Sequence, residues 1–396
     1  MLDVAAVSTK GSMRGRVEMY NANALKIGLF GANCSSARTA TRVPERWSAS
    51  WPDCLKLARL ADDAGIDFLL PIGRWKGYGG ETDFHGTSLE TLTWASGLLA
   101  ATERITVFGT VHAPLFHPLI AAKEMVTADH IGEGRFGLNL VAGWNEGEFQ
   151  MFGVAQREHE ERYQFAEEWI EVIKRAWSGE EFDFKGRYFN LAGVRAKPAP
   201  VGGTRPIIMN AGQSGTGQAF AMRNCDAFFT STSGARLAVA GTSQAMDQDK
   251  VFELIVKQVN DIKAEGHKYG REIEVYTQGQ VICRPTQKEA EEYYHHTNIE
   301  NADLGAIDQM LALKNITAQN TAADVFAGKR SMMASHGVGG YPFVGSPDKV
   351  AEEFANLGRA GFRGLAVSFV NYLNDVPYFC AEVLPRLARM GLRTPS

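Results

Sequence analysis

Short apolar runs alternate with longer amphipathic stretches along almost the whole chain. The runs Leu25–Leu29, Phe68–Pro71, Ile105–Thr110, Phe136–Val141, Pro206–Met209, Ala227–Thr230, Val275–Ile282 and Leu365–Phe369 have the length of strands, and several are apolar on both faces. Strands without a polar face belong to parallel sheets covered by helices. Between Arg162 and Trp177 the apolar positions Ala166, Trp169, Ile170, Ile173, Ala176 and Trp177 follow helical spacing and predict one buried stripe. Ser346-Pro347-Asp348 predicts a helix start, with a hydroxyl cap, a proline in the first turn and a carboxylate at the positive end of the dipole. The segments from Leu57 to Asp67 and from Phe354 to Arg363 echo each other: each places Ala-Gly where a helix must end left-handed before a strand. Eight strands with helices between them predict an α/β fold, a (β/α)8 TIM barrel. A doubly wound nucleotide fold fits less well, because the first turn, Phe30-Gly31-Ala32-Asn33-Cys34-Ser35, is not G-x-G-x-x-G.

Two segments depart from this alternation. Residues 1–24 precede the first strand and read as an irregular arm, set against a neighbouring subunit; residues 25–396 form one barrel domain. Residues 286–344, between strands seven and eight, are too long for a plain crossover. They begin helical and turn Gly-rich at Ser331–Gly340, the character of an active-site lid.

Composition narrows the function classes. With 45% hydrophobic and 22% charged residues the chain supports a sizeable core, and a net charge of -4 lacks the basic footprint of a nucleic-acid binder. No apolar run approaches the ~20 residues of a membrane span. The N-terminus lacks the order of a secretory signal, so the reading is cytoplasmic. Five scattered cysteines without a CxxC pair, and histidines without ligand spacing, point to no metal site. Cys34, just after the first strand, is the one cysteine placed to line a site.

Function in a barrel gathers where strands end at the C-terminal face. Thr110 and His112 follow the third strand, Asn139 closes the fourth, and Gly212-Gln213-Ser214-Gly215-Thr216-Gly217 follows the fifth. Such a loop can aim backbone N–H groups and hydroxyls at an anion, and without a following lysine it suits a cofactor phosphate better than a transferred phosphoryl group. Arg162 and Tyr163 open a helix on the same face and can add a charge and a phenol. His112 and His336 are candidates for substrate contact or proton transfer, since histidine titrates near neutrality. Aromatic residues near loop ends, among them Trp75, Tyr78 and Trp144, favour a flat cofactor over a sugar.

The run Gly134-Arg135-Phe136-Gly137-Leu138-Asn139-Leu140-Val141-Ala142-Gly143-Trp144, followed by Glu148-Phe149 and Glu161-Arg162-Tyr163, resembles the bacterial-luciferase-like flavin monooxygenases. Within that family the segment Arg74–Gly80 and the loop Ala211–Ser214 are similar to the pyrimidine monooxygenases, whereas Tyr372-Leu373-Asn374 is closer to the dimethylsulfone branch. The resemblance implies a two-component enzyme that receives reduced FMN (FMNH2) from a separate NAD(P)H-dependent flavin reductase. It implies activation of O2 as a flavin peroxide at N5 or C4a, oxygenation of a small organic substrate with cleavage of a C–N, C–S or C–halogen bond, and a homodimer or homotetramer. Residues matching the flavin contacts are Gly73, Arg74, Asn139, Glu148, Arg162, Tyr163 and Ser214, with Gly215 and Thr216 in the same loop. Thr110 and Asn139 match the pair that positions dioxygen. The pyrimidine branch carries an aliphatic residue and a lysine where this chain has Gly73 and Arg74. A deazaflavin (F420)-dependent oxidoreductase and a non-catalytic flavin-binding barrel are the alternatives.

Overall fold

A computed structural model describes residues 18–240 and 247–394. Four strand–helix units come first: β1 (Lys26–Phe30), β2 (Phe68–Leu70), β3 (Thr106–His112) and β4 (Phe136–Val141), followed in turn by helices Trp51–Asp63, Thr91–Leu99, Pro118–Ile131 and His159–Ser178. An antiparallel hairpin follows, β5 (Glu181–Lys185) and β6 (Asn190–Arg195), and then β7 (Ile207–Asn210), β8 (Ala227–Thr230), β9 (Glu274–Cys283), β10 (Tyr341–Gly345) and β11 (Gly364–Ser368). Parallel pairings join β1, β2, β3, β4, β7, β8, β9 and β11 in that order, and β11 pairs back onto β1. This is the closed (β/α)8 barrel that the alternation predicts, and each predicted strand lies within two residues of an observed one.

The strands are apolar on both faces because they serve two separate cores. Ile27, Leu69, Val107, Leu138, Ile208, Val275 and Leu365 point outward beneath the helices. Their neighbours Phe68, Phe108, Ile207, Ala227, Tyr276 and Ala366 point into the barrel, as strand alternation requires. Three inward glycines make room for three rings. A Cβ on Gly28 would lie 2.2 Å from Phe68, one on Gly137 2.6 Å from Phe108, and one on Gly364 2.4 Å from Tyr276. Phe68 meets both other rings edge to face, each at 5.9 Å, so the barrel has an aromatic floor. Met19, fully buried in the 3-10 turn Glu18–Tyr20, packs against this floor. It is the described end of the predicted arm; residues 1–17 lie outside the described residues.

Local signals behave as their chemistry dictates. Ser346 caps the helix Pro347–Arg359, and Gly65 and Gly361 adopt φ of 72° and 99° at the two echoed helix ends. Two elements escape the sequence reading. The β5–β6 hairpin is mostly exposed, so burial imposes little pattern on it. β10 contains Pro342 and a terminal glycine, an unpromising strand, yet it pairs in parallel with Gly279–Cys283 of β9, beyond the point where β8 stops.

Segment 286–344, expected as an insertion, is largely regular: helices Gln287–Tyr294, Leu304–Ala312 and Ala323–Ser335, a π-helical turn His295–Glu300, and most of β10. Its first half is tied to the loop after β1. Thr41 Oγ1 donates to the Thr297 carbonyl at 2.7 Å, Asp303 N donates to the Ala40 carbonyl at 2.9 Å, and Asn298 Nδ2 donates to Gln280 Oε1 of β9 at 2.6 Å. No helix among the described residues is long and apolar enough to cross a membrane.

Gly28→Ala should destabilise the protein by about 1–3 kcal/mol, because the added methyl has no space beside Phe68. Adding Phe68→Leu should recover part of that loss. Urea denaturation of the two variants checks the coupling; simple additivity would refute the proposed contact.

Candidate active site

β3 and β4 are in register with Thr110 opposite Asn139. Both continue the inward series that holds Phe108 and Gly137 at the floor, so both side chains emerge above it. Asn139 Nδ2 donates to Thr110 Oγ1 at 3.1 Å, and Thr110 Oγ1 donates to the Pro71 carbonyl at 2.6 Å. The Thr110 proton is thereby committed. Asn139 keeps a second amide proton, and its buried Oδ1 has no partner. His112 comes one inward step later, within β3 rather than after it; the same correction applies to Thr110. Its ring explains Gly73: a Cβ there would lie 2.7 Å from His112 Cε1 and 3.1 Å from Thr110 Cγ2.

Beyond Gly73 the chain is held by a buried ion pair. Glu148, on the short helix Glu146–Met151 capped by Asn145, accepts from Arg74 Nη1 at 2.8 Å and from the Trp75 amide at 2.9 Å. The Arg74 guanidinium lies 4.6 Å from the Tyr78 ring centroid and 5.6 Å from that of Trp144, and its Nε is buried without a partner. Glu148 thus acts on the site through Arg74.

A cleft of about 360 Å³ opens beside the ends of β4 and β7, lined by Gly143, Trp144, Arg162, Tyr163, Gly212 and Ser214 among others. Arg162 donates to the Gly143 carbonyl and retains a buried, unpartnered Nε. The Tyr163 hydroxyl is wedged between Gly212 and Gly217, where a Cβ would approach it to 2.7 and 2.5 Å. It shares a hydrogen bond with Ser214, which caps the helix Gly215–Asn224. Gln213 donates to the Phe229 carbonyl at 3.0 Å and fixes the loop. Gly215 and Thr216, expected at the same anion, are not in this cleft's lining, and the Thr216 hydroxyl donates to Glu160 at 2.8 Å. A cationic cleft on one side of the mouth and a polar pair above an aromatic floor suit a planar group with an anionic tail.

The sequence profile of the luciferase-like monooxygenases matches residues 25–364. The chain belongs to the luciferase-like monooxygenase family. It is 28% identical to an FMNH2-dependent dimethylsulfone monooxygenase of Pseudomonas fluorescens, over 94% of this chain and 97% of that one. It is also 28% identical to the pyrimidine monooxygenase RutA of Acinetobacter baylyi, over 91% of this chain and 94% of that one. Among solved structures, a riboflavin lyase with modified FMN and riboflavin superposes with a TM-score of 0.80 at 22% identity, covering 93% of this chain and 92% of that one, a likeness of fold. At the level of class the protein is a flavin-dependent monooxygenase.

Within this family member the remaining candidates separate. Burial holds the His112 imidazole down to about 4, with Glu148 opposing and Arg74 assisting. Burial likewise takes His336 to about 4, helped by Arg236. Titration near neutrality, the reason for singling out both, is thus absent: each is a neutral imidazole at pH 7. Burial pushes the Cys34 thiol up to about 12, and it donates to the Ile72 carbonyl, so it behaves as an inert core group. Arg38, in an aperiodic loop, lies at the mouth with no signal in the sequence to mark it.

Because the folded value of His112 lies below the ordinary value near 6.5, the unfolded chain binds its proton first as pH falls. Its contribution is intact above pH 6.5 and is lost on descending towards pH 4. His112→Gln, which cannot take up that proton, should lose less stability over this window, by up to about 3 kcal/mol. Thermal unfolding of both proteins at pH 7.5, 5.5 and 4.5 checks this; parallel profiles would count against it.

Proposed function

We propose that the protein is a two-component monooxygenase that accepts reduced FMN from a separate NAD(P)H-dependent flavin reductase and uses dioxygen to oxygenate a small organic substrate at a C–N, C–S or C–halogen centre. The observation that carries this reading is the Thr110–Asn139 pair: a buried amide with a spare donor and a spare acceptor, in register above a closed floor. The name of the dimethylsulfone relative, which includes FMNH2, supports the choice of cofactor. The donor set agrees with it. Arg162, Tyr163 and Ser214 would hold the phosphate, while Gly73 and the Arg74 that Glu148 steadies would border the ring.

The bound flavin supplies the electrons that reduce dioxygen. The protein's own work is to position and to exclude water. Asn139 offers its free amide proton to oxygen, and Thr110, anchored on the Pro71 carbonyl, sets the amide's orientation. His112, neutral and packed on Gly73, backs the pair without adding charge. The insertion would close the mouth. With its first half tied to residues 40–42, and helix Leu304–Ala312 held by its cap Asp303 on Glu81 and Thr82 and packed on Tyr78 and Phe84, any such movement falls to the segment up to helix Ala323–Ser335.

The Thr110→Ala/Asn139→Ala variant should bind FMN but form no product. Asn139→Ala alone should cost more in kcat than Thr110→Ala, about 100-fold, equivalent to ~3 kcal/mol. Supplying reduced FMN from a generic reductase and following oxygen-18 in the product by mass spectrometry tests both; wild-type turnover in the double variant refutes the role. Arg162→Ala should weaken FMN binding by about 10–100-fold, read by fluorescence titration. An unchanged dissociation constant would place the phosphate elsewhere.

A further inference from the structure

What the barrel mouth selects can be read from Arg38, an inference that rests on the monooxygenase reading. Arg38 lies in the loop after β1, with its guanidinium carbon 5.1 Å from the ring centroid of Phe30, the last residue of that strand. Phe30 meets the inward-facing Phe229 of β8 edge to face at 5.4 Å, so the guanidinium sits over the barrel interior. From the other side Arg38 Nη2 donates to the Val338 carbonyl of the insertion at 2.9 Å. That carbonyl is its one protein acceptor among the described residues, and its Nε is buried without a partner.

Arg135 is satisfied by three carbonyls and the Thr102 hydroxyl, Arg236 lies over the Tyr341 ring without a described carboxylate, and three further arginines are matched by carboxylates. Arg74 has Glu148 at 2.8 Å, Arg205 has Asp226 at 2.6 Å, and Arg393 has Asp67. Arg38 forms no ion pair with any described carboxylate, and burial lowers its pKa to about 10. The groups around it are Tyr78, Tyr372, Arg74 and Cys34; burial raises both phenols and the thiol, so none is an anion at neutral pH. Glu148 is already taken by Arg74. On segment 286–344, burial first, and then the charges of Arg38 and Lys329, lower the pKa of Lys314, so a second cation lies within reach of Arg38. The mouth therefore carries an excess of positive charge above an apolar floor, and a desolvated cation of this kind is costly until an anion joins it.

We propose that Arg38 is the substrate-recognition residue of this site, and that the substrate is a small organic anion whose sulfonate, sulfinate or carboxylate head sits on the guanidinium while its apolar body packs on Phe30 and Phe229. A planar guanidinium with free N–H groups matches such oxyanions in a paired geometry that a lysine cannot reproduce. The cleft at Arg162, which the proposed function gives to the cofactor phosphate, does not include Arg38 in its lining.

Calorimetric titration of the full-length protein, with and without FMN, tests this with ethanesulfonate, ethanesulfinate, propionate and the neutral ethyl methyl sulfone. At least one anion should bind wild type tenfold or more tighter than the neutral sulfone, and comparison of the three names the head group. Arg38→Met should weaken that anion about 10–100-fold, and Arg38→Lys by less. FMN affinity and the melting temperature should stay close to wild type; Arg38→Gln stands in if the methionine variant does not fold. Failure of every anion to outbind the sulfone overturns the proposal, as does unchanged anion affinity in the variants. A loss of FMN affinity in parallel with anion affinity also overturns it, by assigning Arg38 to the cofactor. Failure of the underlying reading looks different: wild type would bind no FMN and consume no oxygen with reduced flavin, whatever the anion titrations gave.

Discussion

Three rings occupy the space left by three missing side chains, and this sets the depth of the barrel. Phe68, Phe108 and Tyr276 reach the axis only because Gly28, Gly137 and Gly364 on adjoining strands have no Cβ to meet them. Edge-to-face contacts lock Phe68 between its two neighbours. A packed floor of this kind turns the barrel from a tube into a cup, and strand alternation then decides what lies above it. On β3 the inward series runs Phe108, Thr110, His112; on β4 it runs Gly137, Asn139. The polar pair therefore sits directly above the aromatic layer, where a protein-made low-dielectric surface strengthens every hydrogen bond it makes.

The charges divide by the same geometry. At the closed end, Asp67 gathers Lys26, Asn23 and Arg393 together with the backbone of Ile27, a fully satisfied network with a structural role. At the open end satisfaction is incomplete. Arg74 is matched by Glu148, yet Arg162, Arg74 and Arg38 each keep a buried nitrogen unpartnered, as does the carbonyl of Asn139. Buried polar atoms left open in a native structure need a reason. Others, such as Thr106 Oγ1 at the start of β3 and Trp94 Nε1 on an outer helix, lie elsewhere, but these four share one mouth, as in a site prepared for ligands. The neutral state of His112 fits this division, since a third positive charge beside Arg74 would crowd the mouth further.

Much of the site was legible because its motifs lie at strand ends or helix starts, where position along the chain implies position on the barrel face. Thr110, Asn139, Arg162, Tyr163 and Ser214 were singled out in this way, and the fold places them in the mouth or its cleft. The Thr216 hydroxyl turns to Glu160, a partner on another helix that a Gly-rich loop does not reveal. The near-neutral titration expected of His112 and His336 fails for a related reason: burial, which a sequence does not display, moves it far from neutrality. Arg38 gave no signal at all. Its loop has no periodicity, and its meaning comes from Phe30, Val338 and the lack of a carboxylate, contacts separated by up to 300 residues.

By itself the order of apolar runs, caps and left-handed glycines determined the eight-stranded barrel, since these are local interactions whose periods of 2 and 3.6 residues are written in the chain. The family-specific run from Gly134 to Trp144 determined the class of chemistry. Tertiary structure alone decided which protons are already spent, which imidazoles stay neutral, and which guanidiniums are left without a carboxylate. Those properties depend on desolvation and on partners brought together from distant segments, and neither quantity exists until the barrel has closed.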